Sequence, residues 1–442
     1  MSSADLTVLR YIAESTIGVT PDDSVRATGT LTGSANLSDT ETVTIGSKVY
    51  TFQTTLTNVD GNVKIAASLA LTLVNLLNAI NLDAGVPGTD YATLMTAHTT
   101  VDATASNATT VSLRAKAYGT GGNSIATTET SATAAFGAAT LTGGTNSTVT
   151  AWKAIRYTGE SLNFNIENTK TAEITPTRVE TDMVQTSASG AGDINFELSY
   201  NTFRDFLEAC FCGTWAAGVG DNEVLVNGTT RKSFTVQKHF QDMDIPQYHN
   251  YRGTCVEGLT LKMEIGKIVE GSFNLMSFGL DSSTGVTETQ IPGSTFGAAT
   301  STTPMNAVTN LQDFNIDGVP YSGCISSLGL QIKNNIRAIQ CLGSLAPRNM
   351  KLGTLEVTGD MEFYFNEGSN FEKFVAGTEF SFTFTLEDVA GNKYTFTFDR
   401  CKFETGEVVA GGRNSDVMFT AKWRGLYDSG NSRVLQLLAD PV

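Results

Sequence analysis

Histidine, cysteine and tryptophan are scarce in this chain, and each scarcity closes off a class of function. Only three histidines, His98, His239 and His249, stand among 442 residues, with no metal-ligand spacing between them. His239 and His249 could in principle hold a metal together, but they flank a loop, and a solvated loop is the expected setting for both. Six cysteines are too few and too scattered for a disulfide scaffold. Cys210-x-Cys212 lacks the partner pair that a zinc site requires, so reduced, buried thiols are expected. There is no G-x-S-x-G elbow, Walker loop or C-x-x-C pair, and no pair of carboxylates is singled out by its surroundings as hydrolytic acid and base. The chain reads as a non-enzyme without cofactor or metal.

Positive charge and long apolar runs are also in short supply. A formal net charge of −16 with only 17% charged residues points away from nucleic-acid binding by phosphate neutralisation. The N-terminus has no basic segment followed by an apolar run, so a secretory signal is not expected. The most apolar stretch, Val63 to Ile80, is interrupted by Lys64, Thr72, Asn75 and Asn78. It reads as a packed helix and not as a membrane span.

What the chain does contain is an internal duplication. Ser161-Leu-Asn-Phe-Asn-Ile-Glu-Asn-Thr169 returns as Ser327-Leu-Gly-Leu-Gln-Ile-Lys-Asn-Asn335, and Gly192-Asp-Ile-Asn-Phe-Glu-Leu198 as Gly359-Asp-Met-Glu-Phe-Tyr-Phe365. Phe203-Arg-Asp-Phe-Leu207 matches Phe371-Glu-Lys-Phe-Val375, and the segment from Tyr251 matches that from Thr397 without a gap, Cys255 answering to Cys401. The shortened spacing late in the match gives the first copy about twenty extra residues, mostly between Phe211 and Lys232, where an insertion costs little stability.

Taken in order, residues 1–26 read as an N-terminal arm with a turn at Thr20-Pro21. Residues 27–146 are rich in Thr, Ala, Gly and Ser, have no counterpart in the repeat, and read as an inserted α+β module. In it, strands at Glu41–Gly46 and Lys48–Phe52 precede a helix striped by Leu69, Leu73, Leu76, Leu77 and Ile80. Its turn Gly119–Asn123 lacks the Gly-Lys-Ser/Thr of a phosphate cradle and reads as a plain loop. Residues 147–281 and 311–442 are the two repeat domains, each an antiparallel β unit, sandwich or barrel, with one helix, joined by a Ser/Thr/Gly-rich linker at 282–310. The fold class expected is mainly β with minor α. The helices carry Phe203, Phe206, Leu207 and Cys210 on one face in the first copy and Phe371, Phe374 and Val375 in the second, with Ser369 as N-cap and Gly377 as the stop.

Strict alternation sorts the repeated strands into faces. Ile194, Phe196 and Leu198 turn to a core, as do Leu355, Val357, Met361, Phe363 and Phe365. The opposite faces carry Asp193, Asn195 and Glu197 in one copy and Glu356, Thr358, Asp360, Glu362 and Tyr364 in the other. Recurrence at equivalent positions favours a shared acidic surface over an ordinary solvated one.

Arg10–Pro21, resumed at Ala154–Leu162 and followed by Glu180-Thr-Asp182, Gly192–Leu198 and Phe203–Leu207, resembles the tail tube (major tail) proteins of long-tailed bacteriophages. The likeness covers residues 1–21 and most of 150–442. Residues 27–146, including Gly119–Ala126, resemble a small module of phage structural proteins, here interrupting the pattern between Pro21 and Trp152. The resemblance implies sheets joined into a continuous β-barrel, rings stacked into a tube, and genomic DNA passing through the lumen without specific binding. It implies partners in the chain itself and in other phage tail proteins, none in a membrane, and a place in the virion after assembly in the host cytoplasm. A chain with two tube domains completes a six-fold ring from three copies. Asp193, Glu197, Glu356, Asp360 and Glu362 are the candidate lumen-lining residues, because a negative wall repels phosphate. The loop 211–232 and the linker are candidates for contacts to neighbouring subunits or rings, and the module for an outward decoration. The rival reading is a host-adhesion or carbohydrate-binding protein, for which Trp152, Trp215 and Trp423 are the aromatic candidates; a cell-wall glycan hydrolase is a more remote one.

Overall fold

The computed structural model describes residues 7–22, 24–147, 152–174, 176, 179–241, 243, 247–282, 295–307, 311–366 and 368–442. The chain is mainly β, with three α-helices among the described residues. It divides into two compact units, one made of Met1–Pro21, Trp152–Glu288 and Phe296–Val442, the other of Asp22–Ala151 and Thr289–Thr295.

In the first unit, copy one contains β1 (Thr7–Ala13), β2 (Asn163–Lys170), β3 (Met183–Glu197), helix α1 (Arg204–Phe211), β4 (Glu223–Val226), β5 (Phe234–Phe240), β6 (Gln247–Glu264) and β7 (Glu270–Ser277). Copy two contains β8 (Leu311–Ile316), β9 (Ile325–Lys333), β10 (Glu356–Tyr364), α2 (Ser369–Ala376), β11 (Phe380–Glu387), β12 (Lys393–Ala410), β13 (Val417–Gly425) and β14 (Gln436–Asp440). The antiparallel pairings β2·β3, β3·β7, β7·β6, β6·β5 and β5·β1 recur as β9·β10, β10·β13, β13·β12, β12·β11 and β11·β8. One topology is therefore used twice. The segment read as an arm contains β1, which pairs with β5 along its length and buries Leu9, Tyr11 and Ile12.

β6 and β12 each run 18 residues, where the sequence reading places shorter strands. In both, an irregularity at Val256/Gly258 or Phe403/Thr405 lets the strand leave one set of partners for another, the usual means by which a strand bends from sheet to sheet. The N-terminal halves pair with β5 and β11, the C-terminal halves with β7 and β13.

The copies meet edge to edge, with Gly258–Glu264 of β6 antiparallel to Ser327–Lys333 of β9. One sheet thus runs β2-β3-β7-β6-β9-β10-β13-β12 across both copies. It is open: among the described residues β2 pairs only with β3, and the C-terminal half of β12 only with β13. A single apolar cluster underlies both halves, from Leu9, Phe206 and Phe273 to Phe363, Phe398 and Trp423. The extra residues of copy one make a second tie, because β4 pairs with the C-terminal strand β14 of the same chain. Beside it, Asn227 Oδ1 accepts from the backbone N–H of Val434 at 2.7 Å and of Leu435 at 3.3 Å. In the linker, residues 283–294 and 308–310 lie outside the described residues, while Met305 is fully buried and donates its N–H to Leu198 O.

Several local expectations change. Phe234 faces Thr254 in copy one and Phe380 faces Cys401 in copy two, so Cys401 answers to Thr254 and not to Cys255. The ungapped match is one residue out along β12, and the one-residue-longer turn that follows makes it two residues out along β13. A one-residue slip exchanges the faces of a strand: it would equate the buried Leu259 and Leu261 with Thr405 and Glu407, whereas the pairing equates them with Gly406 and Val408. Gly368, not Ser369, caps α2, and Gly377 ends it in the left-handed conformation. Helix α1 is buried on the expected face, but in α2 Phe371 and Phe374 are half-buried and Val375 is 69% exposed. Phe365 also escapes the core, at 37% exposure. The copies differ most between their first two strands. β2 and β3 form a long hairpin with Asn165–Lys170 exposed, whereas the counterpart holds a short ladder, Arg337–Ile339 with Asn349–Lys351, that buries Ile336 and Met350 beside Cys255.

The second unit has two four-stranded sheets and the helix Leu69–Asn81, capped by Ser68, with Leu73, Leu76 and Ile80 in its core. The Gly119–Asn123 turn is held by Asn123 bonded to Gly144 and by Asn146 accepting from Thr120. These bonds close the loop.

Candidate functional site

The register across the long sheet places the expected residues. Asp193 is opposite Asn274, which is opposite Gly258, then Lys333, then Glu356. Directly opposed residues share a face, so copy one's Asp193 and copy two's Glu356 lie in one row. A second row runs Glu197, Glu270, Lys262, Gly329, Asp360, Lys422 and Thr405. A third runs Glu264, Ser327, Glu362, Thr420 and Glu407. All five candidates, Asp193, Glu197, Glu356, Asp360 and Glu362, therefore occupy one face of a sheet shared by both halves.

That face is mixed in sign. Lys262, Lys333, Lys422 and Arg424 stand among the carboxylates, and the sequence reading does not count them. The alternation in Leu259-Thr-Leu-Lys-Met-Glu264, which sends Lys262 and Glu264 to the polar side, is the signal that reveals the first of them. Carboxylates still outnumber cations along the three rows. Asp193 accepts from Asn274 Nδ2 at 2.7 Å, Glu362 takes the hydroxyl of Ser326, and Arg424 is paired with Glu404. Lys262 bonds Glu264 at 2.7 Å and Lys267 bonds it from the turn, and these hydrogen bonds hold the Glu264 carboxyl at about 2. The surface is concave where side chains are missing, a shallow groove opening around Gly329 and Gly359 with Lys333, Asp360 and Lys422 on its walls. On the core-facing side of the same ladder Gly359 stands between the buried Leu330 and Trp423, where a Cβ would be 2.1 Å from Gly329 O and 2.6 Å from the Trp423 ring.

The other candidates sit elsewhere. His239 and His249 are on the adjacent strands β5 and β6, not in a solvated loop. His239 is buried and stacked on Tyr248 at 4.2 Å, and His249 lies edge-on to Phe240. Among the described residues no group of three or more His, Cys, Asp or Glu side chains is placed to hold a metal, and no helix is long and apolar enough to cross a membrane. Trp152 and Trp423 are fully buried, and Trp215 is half-buried under the Arg204 guanidinium at 4.6 Å. No open aromatic platform for a sugar is formed by these three.

No curated protein matches the chain in sequence. A family model described as phage tail tube protein matches residues 126–425, beginning within the inserted unit and running through both copies to the end of β13. This single match spans more than half of the chain and includes all five candidate residues: the chain belongs to the phage tail tube protein family, a structural component of the virion tail.

Proposed function

We propose that three copies of this chain close the long sheet into a ring with pseudo-six-fold symmetry, and that rings stack into a tube whose bore conducts genomic DNA into the host. The observation that carries this is the internal join of β6 to β9. There one copy meets the next edge to edge, and among the described residues an edge is left unpaired at either end of the sheet; this supports reading each copy as a tube domain. Open edges invite pairing, and cyclic closure satisfies them without leaving a sticky end. Eight strands per chain give about 24 in a ring of three, and at strand spacings of about 4.8 Å and tilts near 40° such a barrel measures roughly 45–50 Å between backbones. Two chains would measure only about 30–35 Å on the same basis, too narrow once side chains fill the rim.

The polar face lines the bore in this reading, with Asp193, Glu197, Glu356, Asp360 and Glu362 facing the DNA. Interspersed lysines make the wall weakly negative, and screening over about 8 Å at physiological salt confines repulsion to phosphates near the wall. DNA is kept from adhering without being strongly expelled. The tube assembles in the host cytoplasm with other tail proteins, and the inserted module decorates it without a part in closure.

Mass measurement of isolated rings tests the reading. Three chains per ring are expected, and six would overturn the stoichiometry. Replacing Asp193 and Glu197 with lysine should leave tubes intact and slow genome ejection; unchanged ejection would remove these residues from the bore. Compact trimers that bind glycans and never form tubes would favour the adhesion alternative.

A further inference from the structure

We infer that the seam closing the ring pairs the C-terminal half of β12 in one chain with the β2 edge of the next, in the register already used by the internal join; this rests on the tube reading above. Copy equivalence fixes the register. Leu330 faces Gly359, the counterpart of Gly192. Gly192 lies beside Leu162, between the pairs Glu160–Ile194 and Asn163–Ala191. Leu162 therefore stands for Leu330. On the other edge Leu261 pairs with Gly271 and Val408 with Phe419, at matching distances from the bulge glutamates Glu257 and Glu404, so Val408 stands for Leu261. Since Leu261 faces Leu330 within the chain, Val408 faces Leu162 between chains, and alternation sets Glu407 against Asn163 and Thr405 against Asn165.

The chemistry agrees with this register. Val408 and Leu162 meet on the core side, while on the polar side the Glu407 carboxylate meets the Asn163 amide and no like charges are opposed. The register taken from the sequence match alone would set Glu404 against Glu167 and turn Glu407 toward Phe164. The closing seam is also the weaker of the two. Gly406, Val408 and Ala410 replace Leu259, Leu261 and Met263, and copy two passes from α2 to β11 through Gly377–Glu379 with no equivalent of β4 to add a second tie.

Cysteine cross-linking reads the register directly. In a background where the exposed Cys324 and Cys341 are serine, Glu407→Cys with Asn163→Cys places two Cα atoms about 4.5–5.5 Å apart, within disulfide reach. Thr405→Cys with Asn165→Cys is an independent second pair. Glu407→Cys with Asn165→Cys is the control, since a diagonal pair is separated by about 7–8 Å. Oxidised tubes of the first two variants should yield covalent species of two and three chains, several-fold above the control and lost on reduction. Tubes that form but cross-link best through the control, or through neither pair, would overturn the seam and leave the tube reading standing. If the unsubstituted protein forms no rings or tubes under any condition, both readings fall.

Discussion

Truncating Leu330 to alanine should destabilise both copies together, although Leu330 belongs to the second. Leu330 and Leu261 face one another across the internal join and are 1% and 0% exposed. Removing a buried leucine side chain costs about 2–5 kcal/mol, part transfer and part cavity. Collapse around the cavity is resisted on both sides, because the buried pairs Leu259–Ile332 and Met263–Leu328 flank it on the same ladder. A loss of about 3–4 kcal/mol is therefore expected, or roughly 5–6 °C in Tm for a unit of this size. Leu261→Ala should cost about as much. The double variant should fall short of the sum by about 0.5–3 kcal/mol, since the second truncation enlarges one cavity and does not open another. Calorimetry and urea unfolding followed by tryptophan fluorescence give these numbers. A Leu330→Ala cost below about 1 kcal/mol, or strict additivity of the pair, would refute the claim that the two copies share a core through this join.

Three further outcomes are expected. Cys324 and Cys341 are exposed, while Cys210, Cys212, Cys255 and Cys401 are buried, burial pushing Cys212 up to about 11 and Cys255 up to about 12; a chromogenic disulfide should titrate the two exposed thiols in the native protein and the rest only after denaturation. Asn227→Ala leaves the N–H groups of Val434 and Leu435 without their acceptor, costing about 1–3 kcal/mol; amide exchange should rise in Gln436–Asp440 ahead of the rest of the unit, and unchanged protection there would count against the second tie. In the inserted unit, buried His98 accepts at Nδ1 from Thr100 and Val101 and contacts Ile45 O through Nε2, and burial, with Lys48 and Lys116 nearby, lowers its pKa despite the opposing Ile45 contact and Asp102. The unfolded form binds the proton more readily, so this contribution is intact above about pH 6.5 and is lost as pH falls through the lower folded value. Acid should lower the unit's Tm in the wild type and do so less in His98→Gln.

The sequence revealed what depends on alternation and failed where alternation is broken. Ile194, Phe196, Val357, Met361 and Phe363 are buried as their period of two requires, and the five carboxylates fall on one face for the same reason. The bulges at Glu257 and Glu404 add one residue to a strand without changing its composition, so the switch between sheets, and with it the true equivalence of Cys401 to Thr254, shows only in the pairing. Phe365 lies beyond the last paired residue of β10, where periodicity no longer says which way a side chain turns. Lys422 and Arg424 reach the candidate face from β13, a strand far along the chain from Asp360, and pairing alone makes them neighbours.

The unequal hairpins have a consequence for how such a conduit is built lengthwise. One copy throws out a long β2–β3 arm, and the other tucks the corresponding segment over Cys255 of the first copy. A ring of three chains would then carry three antennae set about 120° apart, alternating with three smooth sectors. Whatever sits above such a ring can be indexed only in thirds of a turn, so duplication followed by divergence would have halved the number of ways one layer can be laid on the next.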